Sequence, residues 1–321
     1  MLPRAAVRWE STLAAVLLVE FIFFASVSPY FLDVWTLSDA TFNFTEKAII
    51  ALPLAMLIIA GEIDISVAAI IALASVVMGL LAAQGFDAGT IAFAGVMTGA
   101  LAGAINGLLV GYARVPSIVA TIGTMTLFRG VAYAVLGDRV LKDYPAAFSP
   151  WGQGYLWGPV SIELAVFIAL ALVAAVLLHY TRWGRRIFAI GANAVAARAS
   201  GVAVDRYRFV LFVVTGLCSG LAAVMLTSRL GSTRPSIAQG WELEIIGMVI
   251  LGGVSVWGGK GTIGGVVLAA LVLGLVGFGL GLLNVPGIVM SVIVGALLIA
   301  VVSIPVLGER WQARRSRRAG A

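Results

Sequence analysis

Three polar side chains interrupt an apolar stretch early in the chain, and they are the first candidates for chemistry. Residues 58–75 read IIAGEIDISVAAIIALAS, so that Glu62, Asp64 and Ser66 follow Gly61. Ionisable groups between two membrane spans are costly and usually face protein or a water-filled space. Gly61 can break the preceding helix, and Asp64 or Ser66 can cap the next one by accepting from its free N–H groups. Capping alone, and capping combined with contact to a solute or gate, are both open.

A second polar group lies in the apolar run that begins at residue 117. Thr121, Thr124 and Arg129 give PSIVATIGTMTLFRGVAY a polar side. Arg129 lies too far inside the apolar run to be an ordinary surface charge. Three roles are open for it: extending to the interface, pairing with a carboxylate or facing a pathway. Asn106, in the preceding run, is best explained by a hydrogen bond between helices. The predicted substrate path or gate comprises Glu62, Asp64, Ser66, Asn106, Thr121, Thr124 and Arg129.

The polar segment 180–208 predicts a short helix outside the apolar runs. Asn193 is a good N-cap, AVAARAS (194–200) favours a helix, and Gly201 is placed to end it. Seven residues do not stabilise an isolated helix, so this one is expected to dock. A partner protein and anionic lipid headgroups are the two alternatives.

The glycines around Lys260 resemble nucleotide-binding motifs without satisfying them. A P-loop needs a glycine five residues before the glycine of its Gly-Lys pair, and Ser or Thr after the lysine. Those positions hold Val254 and Gly261. A dinucleotide fingerprint needs a βαβ unit, whereas this GxGxxG lies between two apolar runs. We therefore expect a tight turn here and no bound ATP.

The residue inventory argues against catalysis and against a metal centre. His179 and Cys218 are the only residues of their types. This excludes an intrachain disulfide and argues against a metal site built from His and Cys. No Ser-His-Asp set is credible. Glu242 and Glu244 lie at a predicted helix start, where acidic groups stabilise free N–H groups and the helix dipole.

Composition shows which solvent these elements need. Hydrophobic residues make up 61% of the 321 residues and charged residues 11%, against about 25% charged in soluble domains. The net charge of +6 comes with arginines gathered at 182–208 and 310–318, beside apolar runs. That pattern is typical of a membrane protein rather than of a nucleic-acid-binding protein.

Windows of about 20 apolar residues predict an all-α polytopic membrane protein with about ten transmembrane helices, some of them short or broken. The first run is interpreted as a retained helix rather than a cleaved signal. The predicted spans are 12–30, 47–61, 64–83, 90–112, 117–136, 162–180, 208–228, 243–257, 262–282 and 287–306.

The basic residues predict the orientation of these spans. An even number of spans separates the N-terminal arginines, those of 182–208 and those of 310–318, so all three groups fall on one side. Because positive charge favours the cytoplasm, both termini are expected there. The prediction is a single transmembrane domain, 1–321, with a periplasmic loop 137–161, a cytoplasmic loop 181–208 and a basic cytoplasmic tail 307–321.

One predicted span carries glycine at every fourth position. This spacing gives a helix a smooth stripe on one face, against which another backbone can pack closely. Helix packing is the main expectation for Gly95, Gly99, Gly103, Gly107 and Gly111.

An ordered set of motifs resembles the permease subunits of bacterial sugar ABC importers, the ribose, xylose and arabinose group. The motifs are GEIDISV (61–67), VATIGTMTLFRG (119–130), the loop pattern TxxGRxxxAIGxNxxAAxxSG (181–201) and ELEIIGMVILGGVSVWGGKGTIGG (242–265). The opening RWESTLAAVLLVEF and the stretch 38–66 look most like rhamnose permeases, and next like autoinducer-2 permeases.

The resemblance implies one half of an importer's pore, with no enzymatic activity of its own. The chain would lie in the bacterial inner membrane beside a second permease subunit, identical or homologous. Its other partners would be cytoplasmic ATPase subunits that use ATP and Mg, and a periplasmic sugar-binding protein. The short cytoplasmic helix would couple to the ATPase through Gly191, Asn193, Ala196, Ala197, Arg198 and Gly201. The alternative from another class is a stand-alone ion-coupled carrier using Glu20, Glu62 and Asp64.

Overall fold

The computed structural model describes residues 4–296 and 299, and within them the chain is a bundle of helices with one small hairpin. The basic tail 307–321 and the end of the predicted span 287–306 lie outside the described residues. The helices are α1 Arg4–Val27, α2 Val34–Phe42, α3 Thr45–Ile59, α4 Val67–Ala83, α5 Ala88–Gly107, α6 Ser117–Leu136, α7 Pro150–Gln153, α8 Ile162–Tyr180, α9 Arg182–Ala192, α10 Ala194–Ala199, α11 Val204–Leu230, α12 Trp241–Leu251, α13 Ile263–Leu282 and α14 Gly287–Ala296.

The fold differs from a purely helical one at a hairpin. Strands β1 (Tyr155–Trp157) and β2 (Val160–Ser161) pair antiparallel around Gly158, whose φ is +53°. The sequence analysis predicted a loop at 137–161 and no strands. Aromatic side chains, which favour strands, flank a glycine turn here, and Trp35 and Phe42 pack edge-on against Tyr155.

Six helices of the described region are long and apolar enough to cross a membrane: α1, α5 with its π-helical end, α6, α8, α11 and α13. A seventh span arises if α2 and α3, bent by 51° at their junction, count as one. Helices α4, α12 and α14 occupy other predicted spans but are shorter, so the expected ten spans are not confirmed. The shortening has a local cause, because residues 60–66 and 231–240 leave the helical conformation at glycines with positive φ.

Helix α3 forms the centre of the bundle, since every residue in it except Lys47 is buried. It packs against α8, α11, α12 and α13. By contrast, α1, α5, α6 and α8 expose Leu, Ile, Val and Phe side chains outward. A soluble protein does not leave so much apolar surface uncovered, whereas a bilayer accepts it.

The glycine stripe of α5 lies against α11, the helix with which α5 has its most extensive contact. A β-carbon on Gly99 would clash with the carbonyl of Gly216, and one on Gly103 with that of Phe212. Gly216 and Gly220 of α11 are equally confined by α5. The close approach thus depends on glycines of both helices, and the sequence analysis missed the second set although its spacing is also four residues.

The bundle has two ends. The hairpin end comprises residues 28–44, 137–161 and 231–240, and the Gly191 end comprises residues 60–63, 181–203 and 252–262. At the Gly191 end the backbones meet directly: Gly259 N–H donates to the Ile59 carbonyl at 2.8 Å, and a β-carbon on Gly191 would clash with that same carbonyl. Between the ends, the helices α1, α3, α4, α5, α6, α8, α11, α12 and α13 alternate in direction.

Candidate functional site

The break between α3 and α4 carries the first predicted path residues. Helix α3 ends ahead of Gly61, which has φ +85°, and α4 begins at Val67. Asp64, fully buried, accepts from the Ser66 backbone N–H at 2.8 Å and from its hydroxyl at 2.6 Å. Of the two predicted caps, Ser66 makes no side-chain bond with α4, and Asp64 instead accepts from the N–H of Ser66, the residue just before that helix.

A buried hydrogen-bond network joins this break to α5 and α6. The Asn106 amide donates to Ser66 Oγ at 2.8 Å and more weakly to Asp64 Oδ2 at 3.4 Å. In turn the Thr124 hydroxyl donates to Asn106 Oδ1 at 2.7 Å. All four side chains are buried, so the network is a closed polar chain inside apolar surroundings. The structure brings these four predicted residues together.

Thr121 ties the same break to α6 at a second level. Its hydroxyl donates to the Ser117 carbonyl at 2.8 Å and reaches the Ile63 carbonyl at 3.4 Å. The Ile63 N–H donates to Ser117 Oγ at 3.3 Å. Non-helical backbone at membrane depth needs such internal partners, because lipid offers none.

Arg129 binds backbone rather than a carboxylate. Its guanidinium donates to the carbonyls of Pro235 and Ile237 at 2.6 and 2.7 Å, and to that of Ala68 at 3.1 Å. Within the described residues it forms no ion pair. Of the three roles left open by the sequence, pairing with a carboxylate is not seen among the described residues. Arg129 instead connects α6 to the first turn of α4 and to segment 231–240.

Glu62 does not join the network around Asp64. It lies at the Gly191 end and forms an ion pair with Arg208 of α11, with 2.7 Å between Nε and Oε1. Sequence analysis missed Arg208 because it lies about 150 positions away along the chain, among other arginines.

A cavity of about 300 Å³ lies at the hairpin end, where segment 231–240 meets α11 and α12. Arg129 donates to carbonyls of this segment and of α4, so one side chain connects the segment that lines the cavity to the first turn of α4. The cavity combines cations, neutral hydrogen-bonding groups and an indole, and the sequence analysis did not predict it. Its lining is Leu226, Arg229, Leu230, Arg234, Ser236, Ile237, Ala238, Gln239 and Trp241.

Charged residues brace the helices beside this cavity. Arg229 donates through Nε to Glu46 Oε1 at 2.7 Å, which links α11 to α3. Lys47 pairs with Glu244 and lies 4.7 Å from the centre of the Trp241 ring. The sequence assigned Glu244 to the helix dipole, whereas the structure gives it a partner on another helix.

The predicted short helix is α10, and its ends follow the expected chemistry. Asn193 Oδ1 accepts from Ala196 N–H at 3.0 Å, and Gly201 takes φ +82° after the last turn. Ala197 is buried, whereas Val195 is 80% exposed. Arg198 pairs with Asp205 at the start of α11. The preceding helix α9, rich in arginine, was not predicted.

The apolar helices define a multi-pass membrane protein, and comparison with known proteins gives its family. Residues 37–302 match the family described as branched-chain amino acid transport system, permease component, and the chain belongs to it. The expected permease resemblance is thereby confirmed. A permease is a transport component rather than an enzyme.

Curated relatives make the resemblance more specific. The chain is 36% identical, over 98% of its length and 98% of theirs, to proteins named autoinducer 2 import system permease protein LsrD from Yersinia pseudotuberculosis serotype O:3 (strain YPIII) and from Yersinia pestis (strain Pestoides F). No solved structure matches the chain. The expectation of rhamnose as solute is not confirmed.

Proposed function

We propose that this chain is the permease subunit of an ABC importer of the bacterial inner membrane, forming half of a path for a small sugar-type solute. The observation that carries the proposal is the buried Asp64–Ser66–Asn106–Thr124 network at a broken helix. Polar groups at a helix break deep in a membrane protein usually belong to a transport path. Membership of a permease family supports the same function.

Autoinducer 2 is the first solute to test, because the relatives named above are autoinducer-2 importers. The cavity at the hairpin end offers Ser236, Gln239 and Trp241 to a hydroxyl-bearing solute of the sugar type. Rhamnose is the second candidate, on the resemblance of the opening RWESTLAAVLLVEF.

The Gly191 end faces the cytoplasm in this proposal. It carries most of the arginines of segment 182–208, and positive charge favours that side. The alternating helices, with α14, would then make ten crossings, of which α4 and α12 are short because residues 60–66 and 231–240 enter the membrane without helical structure. Both termini would be cytoplasmic.

Energy is proposed to come from separate ATPase subunits that bind ATP and Mg and dock on α10. The exposed Val195 offers an apolar contact there, and the arginines around it suit an acidic groove. Gly191, in the last turn of α9 just before this helix, packs against the Ile59 carbonyl, next to the break that leads to Asp64. A second permease subunit and a periplasmic sugar-binding protein complete the assembly.

Uptake by proteoliposomes tests the proposal. The chain is reconstituted with the ATPase and binding protein encoded beside it, and radiolabelled autoinducer 2 and rhamnose compete for uptake. One of the two solutes is expected to enter in an ATP-dependent manner. Failure of both, together with entry of a branched-chain amino acid, would contradict the sugar-type assignment.

A further inference from the structure

Two buried carboxyl groups near the hairpin end share one cation. Glu46, in the first turn of α3, is 0% exposed, and its Oε1 accepts from Arg229 at 2.7 Å. Its other oxygen, Oε2, has no hydrogen-bond partner within the described residues. One guanidinium therefore neutralises one carboxylate through a single bond.

Glu163, the second residue of α8, is the other carboxyl group. It is also 0% exposed, and among the described residues neither of its oxygens has a hydrogen-bond partner. The charged groups that act on it are Glu46 of α3 and Arg229 of α11. Lys47, which follows Glu46 in the chain, is already paired with Glu244.

The charge count of this cluster does not balance if both carboxyl groups are ionised. Two carboxylates and one guanidinium leave a net charge of about −1 buried without compensation, which is among the costliest arrangements in a protein. The start of α8 offers a favourable helix dipole, but Ser161 already accepts from the free N–H of Leu164. A terminal dipole is weaker than the desolvation of an unpaired buried carboxylate.

We infer that Glu163 binds a proton, so that the Glu46–Arg229–Glu163 cluster is neutral and forms a proton site beside the cavity. Glu46 keeps the negative charge because it alone bonds to Arg229. Arg229 also lines the cavity, so release of the proton adds a negative charge one side chain away from any solute there. The inference rests on the cluster alone and not on the solute or direction of transport.

Infrared difference spectroscopy of the purified chain tests where the proton is. A protonated carboxyl has a C=O stretching band that a carboxylate lacks. We expect the difference spectrum of the wild type minus Glu163→Gln to contain this band at neutral pH, and that of the wild type minus Asp143→Asn, which changes an exposed loop carboxyl, to lack it. Absence of the band from the first difference spectrum, or its presence only in the spectrum of the wild type minus Glu46→Gln, would overturn the inference.

Thermal unfolding against pH gives a second readout that distinguishes a proton from a metal cation. If the native state binds one proton more than the unfolded state, each pH unit from about pH 6 to about pH 8 lowers the folding constant about tenfold. Glu163→Gln mimics the protonated side chain, so it should fold at neutral pH and lose this contribution. A wild type that is insensitive to pH but stabilised by sodium or potassium would contradict a bound proton.

Discussion

At the scale of single residues, four buried side chains connect the break between α3 and α4 to α5 and α6 by hydrogen bonds. Asp64, Ser66, Asn106 and Thr124 could be predicted as candidates because each is a polar residue in an apolar run. Their partners could not be predicted, since a hydrogen bond between α5 and the break depends on helix packing. Glu163 was missed because a carboxyl at a helix start is usually exposed.

Asn106 tests the buried network. Asn106→Ala removes the donor to Ser66 and the acceptor of Thr124, and leaves Asp64 with fewer bonds. The expected cost is about 1–3 kcal/mol of stability, with reduced solute uptake. Thr126→Ala is the control, because Thr126 is exposed and bonds only to the Ile122 carbonyl of its own helix. Equal thermal shifts in the two variants would contradict the role of the network.

Arg129 tests the anchor between α4, α6 and segment 231–240. A lysine keeps the charge but cannot reach three carbonyls with a planar fork, so Arg129→Lys is expected to destabilise the protein by about 1–3 kcal/mol. Arg139→Lys, at an exposed arginine that bonds to Leu136, should change stability by less than about 0.5 kcal/mol. Chemical unfolding in detergent measures both. An Arg129→Lys variant as stable as the wild type would show that this position needs only a positive charge.

Tyr144 gives a pH dependence outside the spans. Burial raises its pKa to about 12, although Thr233 bonds to its hydroxyl. Because the native pKa exceeds the unfolded value, the stability from the neutral phenol is complete below about pH 10 and is lost as pH rises toward about 12. Ultraviolet titration should show a late-ionising tyrosine that is missing in Tyr144→Phe. A Tyr144→Phe titration identical to the wild type would contradict this assignment.

At the scale of elements, hydrophobic windows located the centres of most helices, and cap residues located α10. The bend between α2 and α3 was not predicted, since residues 43 and 44 are neither glycine nor proline. The predicted short span 243–257 ends earlier in the structure, at Leu251, because apolar composition continues across glycines that turn the backbone. Helix α9 was missed because its arginines mask an amphipathic pattern, and the hairpin was missed because two short strands carry little periodic signal.

The α5–α11 interface tests the packing of elements. Gly99→Ala places a methyl group against the backbone of Gly216, so the helices must separate, at an expected cost of about 1–3 kcal/mol or more. Gly123→Ala has open space around the new methyl group and improves helix propensity, so it should be neutral or stabilising by up to about 1 kcal/mol. Thermal unfolding compares the pair. Similar behaviour of both would show that this close contact contributes little.

At the scale of the whole molecule, Arg129 connects the hairpin end, where the cavity lies, to α4 and the break before it. The Gly191 end connects the same break to α10 through backbone contacts of Gly191 and Ile59. A displacement of α10 would therefore reach Asp64 over a short path. Composition alone predicted a membrane protein, but this connection depends on residues far apart in the chain.

The central claim is that the chain forms a conduit that is powered from outside, through α10. The direct measurement is solute uptake by proteoliposomes that hold the chain alone or the chain with its ATPase, with and without ATP. We predict uptake only with both ATPase and ATP, and ATP hydrolysis without uptake when Arg198→Glu disrupts the pair with Asp205. Uptake by the chain alone, driven by an ion gradient, would contradict the account.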